Sequence, residues 1–213
     1  MKRLAQSDVP ALRAYTEADW PERSAPARQA RFIALDFELD GLKDNAHLLQ
    51  AGWVPFTVDG IDLRGARAFD IRSGKRLDDD AVTIHGIGEQ RAREGAPLAD
   101  VVAALLGDLA GAVIVAHGAS IERGALQGAV RKLHGAALPV RAICTLSIER
   151  HLSPRLPGTG PYPLGAARNR HGLPDYDAHD ALTDALAAGE VYLAQLRHLP
   201  ADQRLGTLEA MTP

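Results

Sequence analysis

At 213 residues, with 46% hydrophobic and 24% charged side chains, the chain suits one soluble globular domain with a substantial core. A net charge of -3 excludes a global electrostatic drive toward polyanions, so nucleic-acid affinity would have to come from a local basic patch. The single cysteine, Cys144, excludes an internal disulfide, and no apolar run is long enough to span a bilayer. With no signal-peptide pattern at the N-terminus, a cytoplasmic protein without membrane contact is the expectation.

Residues 1–30 mix charges with Pro10, Pro21 and Pro26 and predict a helical arm with breaks, packed on the domain or meeting a polymerase or other protein partner. From Arg31 the pattern becomes α/β. Strand-like runs at 31–38, 47–58 and 62–71, punctuated by Asp40-Gly41, Asp59-Gly60 and Ser73-Gly74, predict an antiparallel meander. A helix at 97–110, a buried strand at 112–116, a helix at 121–134 and a strand at 140–145 follow. Helices at 145–151, 162–172 and 179–197 complete the domain, which spans 31–199 ahead of a tail at 200–213. The Pro- and Gly-rich segment 153–163 reads as a loop. These elements predict a mixed five-stranded sheet, three antiparallel strands then two parallel, flanked by helices.

Three remote stretches carry acids into otherwise apolar sequence: Phe32–Glu38, Val113–His117 leading to Glu122, and His179–Asp184. Strand side chains alternate, so Asp36 and Glu38 share a face. Like charges that close are costly unless a cation neutralises them. If Glu122 and Asp184 reach the same spot from two helices, four carboxylates offer hard oxygen ligands suited to Mg²⁺ or Mn²⁺ rather than zinc. Two such ions about 4 Å apart activate a water and stabilise the leaving oxygen of a phosphodiester. A general base is still required, and His179, at the helix entrance ahead of Asp184, suits that role near neutral pH.

Asp36-x-Glu38, the His117-to-Glu122 segment and His179-x-Ala181-x-x-Asp184 stand in the order and spacing of three motifs. In this the chain resembles the DEDDh (DnaQ-like) 3′–5′ exonucleases, typified by the proofreading epsilon subunit of DNA polymerase III. His85-Gly86-Ile87 and Cys144-Thr145-Leu146 are similar as well. The resemblance covers residues 31–197 and implies a ribonuclease H-like fold. It implies two Mg²⁺ or Mn²⁺ ions held by Asp36, Glu38, Glu122 and Asp184, with His179 as general base. The implied substrate is the 3′ end of single-stranded DNA, with RNA a further candidate, and the products are nucleoside monophosphates.

The chain departs from that family at two places. Leu39-Asp40-Gly41 replaces two threonines and a glycine beside the terminal nucleotide, and Asp40 reads as part of the turn. In the second motif Gly118 replaces asparagine, Ile121 phenylalanine and Glu122 aspartate, so charge is kept on a longer arm. Leu39, Phe37, His117 and Arg155 are the candidate substrate contacts. Arg155, Arg168 and Arg170 are placed to meet the incoming strand, whereas His117 also reads as a structural hydrogen-bonding residue and Trp53 and Phe37 as core. Two other readings stay open: a low-turnover nucleic-acid- or protein-binding module on the same fold, and an exonuclease specific for short oligoribonucleotides.

Overall fold

A computed structural model describes residues 2–41, 47–73, 87–157, 160 and 162–213. The first motif forms β1 (Phe32–Leu39), the central strand of the sheet. It pairs antiparallel with β2 (Leu48–Thr57) on one edge and parallel with β5 (Val113–Ala116) on the other. β6 (Ala142–Cys144) continues the parallel half beside β5. The mixed sheet expected from the sequence is thus present.

One correction concerns the third strand, expected as a single run at 62–71. It is split into β3 (Gly60–Ile61) and β4 (Arg67–Asp70), both paired to β2, with a 3-10 turn over Leu63–Gly65 between them. The sheet therefore has six strands among the described residues. Pro55 explains the break. Its carbonyl accepts the Asp62 N–H at 2.9 Å, so its nitrogen, which has no hydrogen, faces the same edge and leaves the ladder without a donor there.

Strand alternation sorts the sheet into two faces. Ile33, Leu35, Phe37, Ala51 and Trp53 pack with α2 (Pro10–Glu17), α4 (Leu98–Asp108) and α5 (Ser120–His134). The expected arm thus packs onto the domain in cis: Leu12 and Tyr15 are buried, and the Tyr15 hydroxyl donates to the Pro139 carbonyl at 2.8 Å. A short α1 (Lys2–Ala5) precedes α2, and α3 (Glu89–Glu94) precedes α4. Trp53, fully buried, places its indole N–H on Asp108 at 2.8 Å, and burial of a side chain that size contributes on the order of 3 kcal/mol.

The other face carries Phe32, Ala34, Val54 and Phe56 against α8 (Ala181–Leu196), with Ile148 of α6 (Thr145–Leu152) beside them. α7 (Leu164–Arg170) leads toward α8. The 200–213 segment, expected as a tail, forms α9 (Leu205–Ala210) and buries Leu205 and Leu208 in this same cluster. Helix α8 lies close to the sheet because the residues between them are small. A Cβ on Gly189 would sit 3.2 Å from that of Ala34, and a Cβ on Gly52 would sit 2.1 Å from the Leu182 nitrogen. Gly52 pairs directly with Asp36, so bare backbone beside the first acid lets α8 bring in the last one. No helix among the described residues is long and apolar enough to cross a membrane.

Candidate active site

The site forms where β1 and β5 end, the usual position for chemistry on an open α/β sheet. Asp36, Glu38 and Asp184 converge there, with one carboxylate oxygen from each lying within 4.8 Å of the others. Two come from one face of β1 and the third from the first turn of α8. His179 sits just before Asp180, the N-cap of that helix, at the helix entrance its spacing from Asp184 suggests, and has φ of 72°. Its backbone N–H donates to Asp184 Oδ2 at 2.9 Å, and its side chain is left exposed on the cleft. The cleft has a volume of about 540 Å³, and Asp36, His117, Tyr176, His179 and Asp184 are among its lining residues.

Glu122 stands in the first turn of α5 and is buried, with Oε2 lacking any hydrogen-bond partner. It lies outside the three-carboxylate group, yet its charge is close enough to act on Asp36. Gly118, where the resemblance expects asparagine, has φ of 105°, a conformation that favours glycine.

Electrostatics express the crowding. Asp36 is held well above the ordinary carboxylate range, first by withdrawal from water and then by Glu122, Asp184 and Glu38. Glu38 is raised by burial and by Asp184, with His179 opposing. Burial pushes Glu122 from 4.5 up to about 8. The folded, metal-free protein therefore keeps protons that the unfolded chain has released, and its stability is expected to fall as pH rises from about 4.5 toward 8. Glu122 alone supplies a slope of about 1.4 kcal/mol per pH unit within that window. Thermal melts at several pH values check this. Saturating Mn²⁺ should flatten the dependence, and a metal-free midpoint that climbs with pH would contradict it.

The residues present fit a divalent cation. Three carboxylates repelling one another beside a buried carboxyl oxygen without a partner form a donor set that a hard cation satisfies.

The expected substrate contacts divide. His117 lines the cleft, but both ring nitrogens are engaged, Nδ1 with Thr145 Oγ1 and Nε2 with the Tyr162 carbonyl, each at 2.8 Å. The carbonyl requires a proton on Nε2, and burial lowers the imidazole pKa, so a neutral ring pinning the loop is consistent with both. Leu39 is half-buried just past a register shift in the β1–β2 pairing and stands opposite Leu48. Phe37 is a correction: alternation turns it to the opposite face, into the core, away from the acids. Arg155 is exposed on the turn after α6, outside the cleft lining. Arg168 lines the cleft, but both it and Arg170 are engaged by internal carboxylates. Arg168, buried, pairs with Glu190 at 2.5 Å, and Arg170 pairs with buried Glu149 at 2.8 Å. His85 lies outside the described residues.

Sequence reasoning missed Tyr176. Its phenol lines the cleft, burial and the neighbouring Asp184 raise its pKa, and the Arg168 guanidinium lies 4.9 Å above its ring. The available signal was a tyrosine three residues ahead of His179. Asp180 caps α8 by accepting the Thr183 N–H at 3.1 Å.

A family model described as RNase T, exonuclease, matches residues 33–192. A sequence search of curated proteins found no match. Among solved structures, Exonuclease X in complex with 5′-overhanging duplex DNA is similar over 87% of this chain and 100% of its own, with a TM-score of 0.63 at 23% identity. E. coli Exonuclease I in complex with a dA16 oligonucleotide has a TM-score of 0.64 at 17% identity, over 85% of this chain and 42% of its own. Cell-death related nuclease 4 reaches 0.64 at 16% identity, over 80% of this chain and 65% of its own. These likenesses establish the ribonuclease H-like arrangement of the sheet.

Proposed function

Because this chain belongs to the RNase T exonuclease family, we propose that it hydrolyses phosphodiester bonds at the 3′ end of single-stranded DNA, releasing nucleoside monophosphates. The observation that carries this reading is the three-carboxylate cluster of Asp36, Glu38 and Asp184, two of which line one cleft with the exposed His179. Asp36, Glu38 and Asp184 would hold two Mg²⁺ or Mn²⁺ ions, with Glu122 reaching them from α5. Bound there, the ions would supply a nucleophilic water at neutral pH and charge stabilisation at both the attacking and leaving oxygens. His179 would act as the general base, taking up a proton on its imidazole. Its backbone anchor on Asp184 fixes where the ring starts, and its exposure leaves the ring free to meet substrate. The oligonucleotide and overhanging DNA bound by the two Exonuclease structures support DNA as the substrate.

A 5′-labelled oligonucleotide should shorten stepwise in Mg²⁺ or Mn²⁺ and stay intact with chelator, and a 3′-labelled one should give labelled mononucleotide first. Binding without shortening in either metal would replace hydrolysis with the binding-module reading. Shortening of oligoribonucleotides alone would move the substrate to RNA. His179→Ala should reduce the rate by about 10²-fold without changing the thermal midpoint. Undiminished cleavage would remove His179 as the base.

A further inference from the structure

Beside the acidic cluster lies a buried amide that none of the roles above uses. Gln50 in β2 is 3% exposed and stands opposite Glu38 in the β1–β2 register. Its Oε1 accepts the Ala181 N–H at 2.8 Å. That amide opens α8 and has no partner inside the helix. The Nε2 group donates to Asp70 Oδ1 at 3.2 Å and, at greater length, to Asp180 Oδ2 at 3.4 Å. Asp70 is itself clamped by Arg91 Nε at 2.7 Å. A line of polar groups thus runs from α3 through β4 and β2 to the cap of α8. It ends one residue from His179 and four from Asp184.

We propose that Gln50, oriented by the Asp70–Arg91 pair, is a positioning residue that sets the entrance of α8 and so holds His179 and Asp184 against Asp36 and Glu38. For its catalytic consequence the inference rests on the metal-dependent reading of that site. The chemistry selects glutamine. One end of the side chain must accept from a helix-opening N–H, while the other must donate to two carboxylates. A glutamate would keep the acceptor but turn the donor into a further carboxylate oxygen facing Asp70 and Asp180. An aliphatic side chain would leave the Ala181 N–H buried without a partner. Displacing the α8 entrance by about 1 Å is enough to cost on the order of a hundredfold in rate.

The test compares the parent protein, Gln50→Glu, and Gln50→Glu combined with Asp70→Asn. In the double variant the introduced amide donates to the introduced carboxylate while its oxygen still accepts from Arg91, so the relay is rebuilt with the added charge still in place. In metal-free protein, exchange of the His179 amide should quicken at least about tenfold in the single variant and return toward the parent in the double. Mn²⁺ affinity, read by electron paramagnetic resonance, should weaken by about tenfold and recover, as for residues that orient metal ligands. The kcat should drop by about 30- to 100-fold, with KM for the oligonucleotide within about twofold, and recover at least about tenfold. Parent-like exchange, Mn²⁺ affinity and kcat in Gln50→Glu would overturn the proposal, as would a double variant that recovers none of them. A parent that cleaves nothing in any metal would overturn the nuclease reading instead, and the amide exchange would still decide the role of Gln50.

Discussion

Replacing Asp36 with asparagine is expected to lower metal-dependent cleavage by about 10³-fold or more and, in the same protein, to raise the melting temperature without metal. The two effects share one cause. Asp36 is the group on which burial and the charges of Glu122, Asp184 and Glu38 all converge. In the unfolded chain its carboxyl ionises near its ordinary value. In the fold it can ionise only against that field, so the native state is penalised increasingly as pH rises above that value. Asparagine has a similar shape and carries no charge, so the penalty disappears and the stability gain should grow from acid to neutral pH. The same substitution removes one of the three clustered carboxylates that would hold a cation, and stabilisation by Mn²⁺ should disappear with the activity. Calorimetry with and without Mn²⁺, alongside release of mononucleotide, measures both. Lost activity in a protein of higher midpoint cannot be ascribed to unfolding. A variant retaining a tenth of the parent rate would exclude Asp36 as a ligand.

Much of this site was legible because period-2 alternation and motif spacing are local rules. Asp36 and Glu38 had to share a face, and the distance from Asp184 put His179 at the entrance of the helix, which begins two residues later than the 179–197 expected. The same alternation that paired the acids also sent Phe37 into the opposite core, so its nomination as a substrate contact conflicted with the rule used beside it. Other failures came from contacts no local rule contains. Arg168 and Arg170 looked available because Glu190 and Glu149, their partners, lie about twenty residues away in sequence and arrive only when α6, α7 and α8 assemble. The third strand broke because of Pro55 in its neighbour, a residue visible in the sequence within a run read as uninterrupted strand. Gln50 carried a signal too, as a lone polar side chain within the apolar Leu48–Val54 stretch. What it bonds to could be learned only from the docking of α8.

That docking supplies the second large effect. Gly52→Ala is expected to destabilise the protein by about 3 kcal/mol or more and to take most of the activity with it. The added methyl would lie 2.1 Å from the Leu182 nitrogen, 2.2 Å from the Ala181 carbonyl carbon and 2.4 Å from the Leu182 Cα. All three are backbone atoms at the start of α8, so no rotamer change can relieve the overlap. Either α8 lifts from β2 or β2 bows away from it. Lifting α8 carries Asp184 and His179 away from Asp36, which is paired with Gly52 itself. Bowing β2 disturbs the ladder that holds Asp36 and Glu38 in register. Stability and catalysis therefore fail together, unlike in Asp36→Asn, where they move in opposite directions. Gly107→Ala, in α4 with nothing within 4 Å of the added methyl, is the control and should gain about 0.5 to 1 kcal/mol from helix propensity. Denaturant unfolding of the two variants, read with Mn²⁺ affinity, separates a general intolerance of added side chains from the specific need for bare backbone under α8. A Gly52→Ala protein with the parent midpoint and parent Mn²⁺ affinity would show that α8 does not depend on this close approach to bring Asp184 to the site.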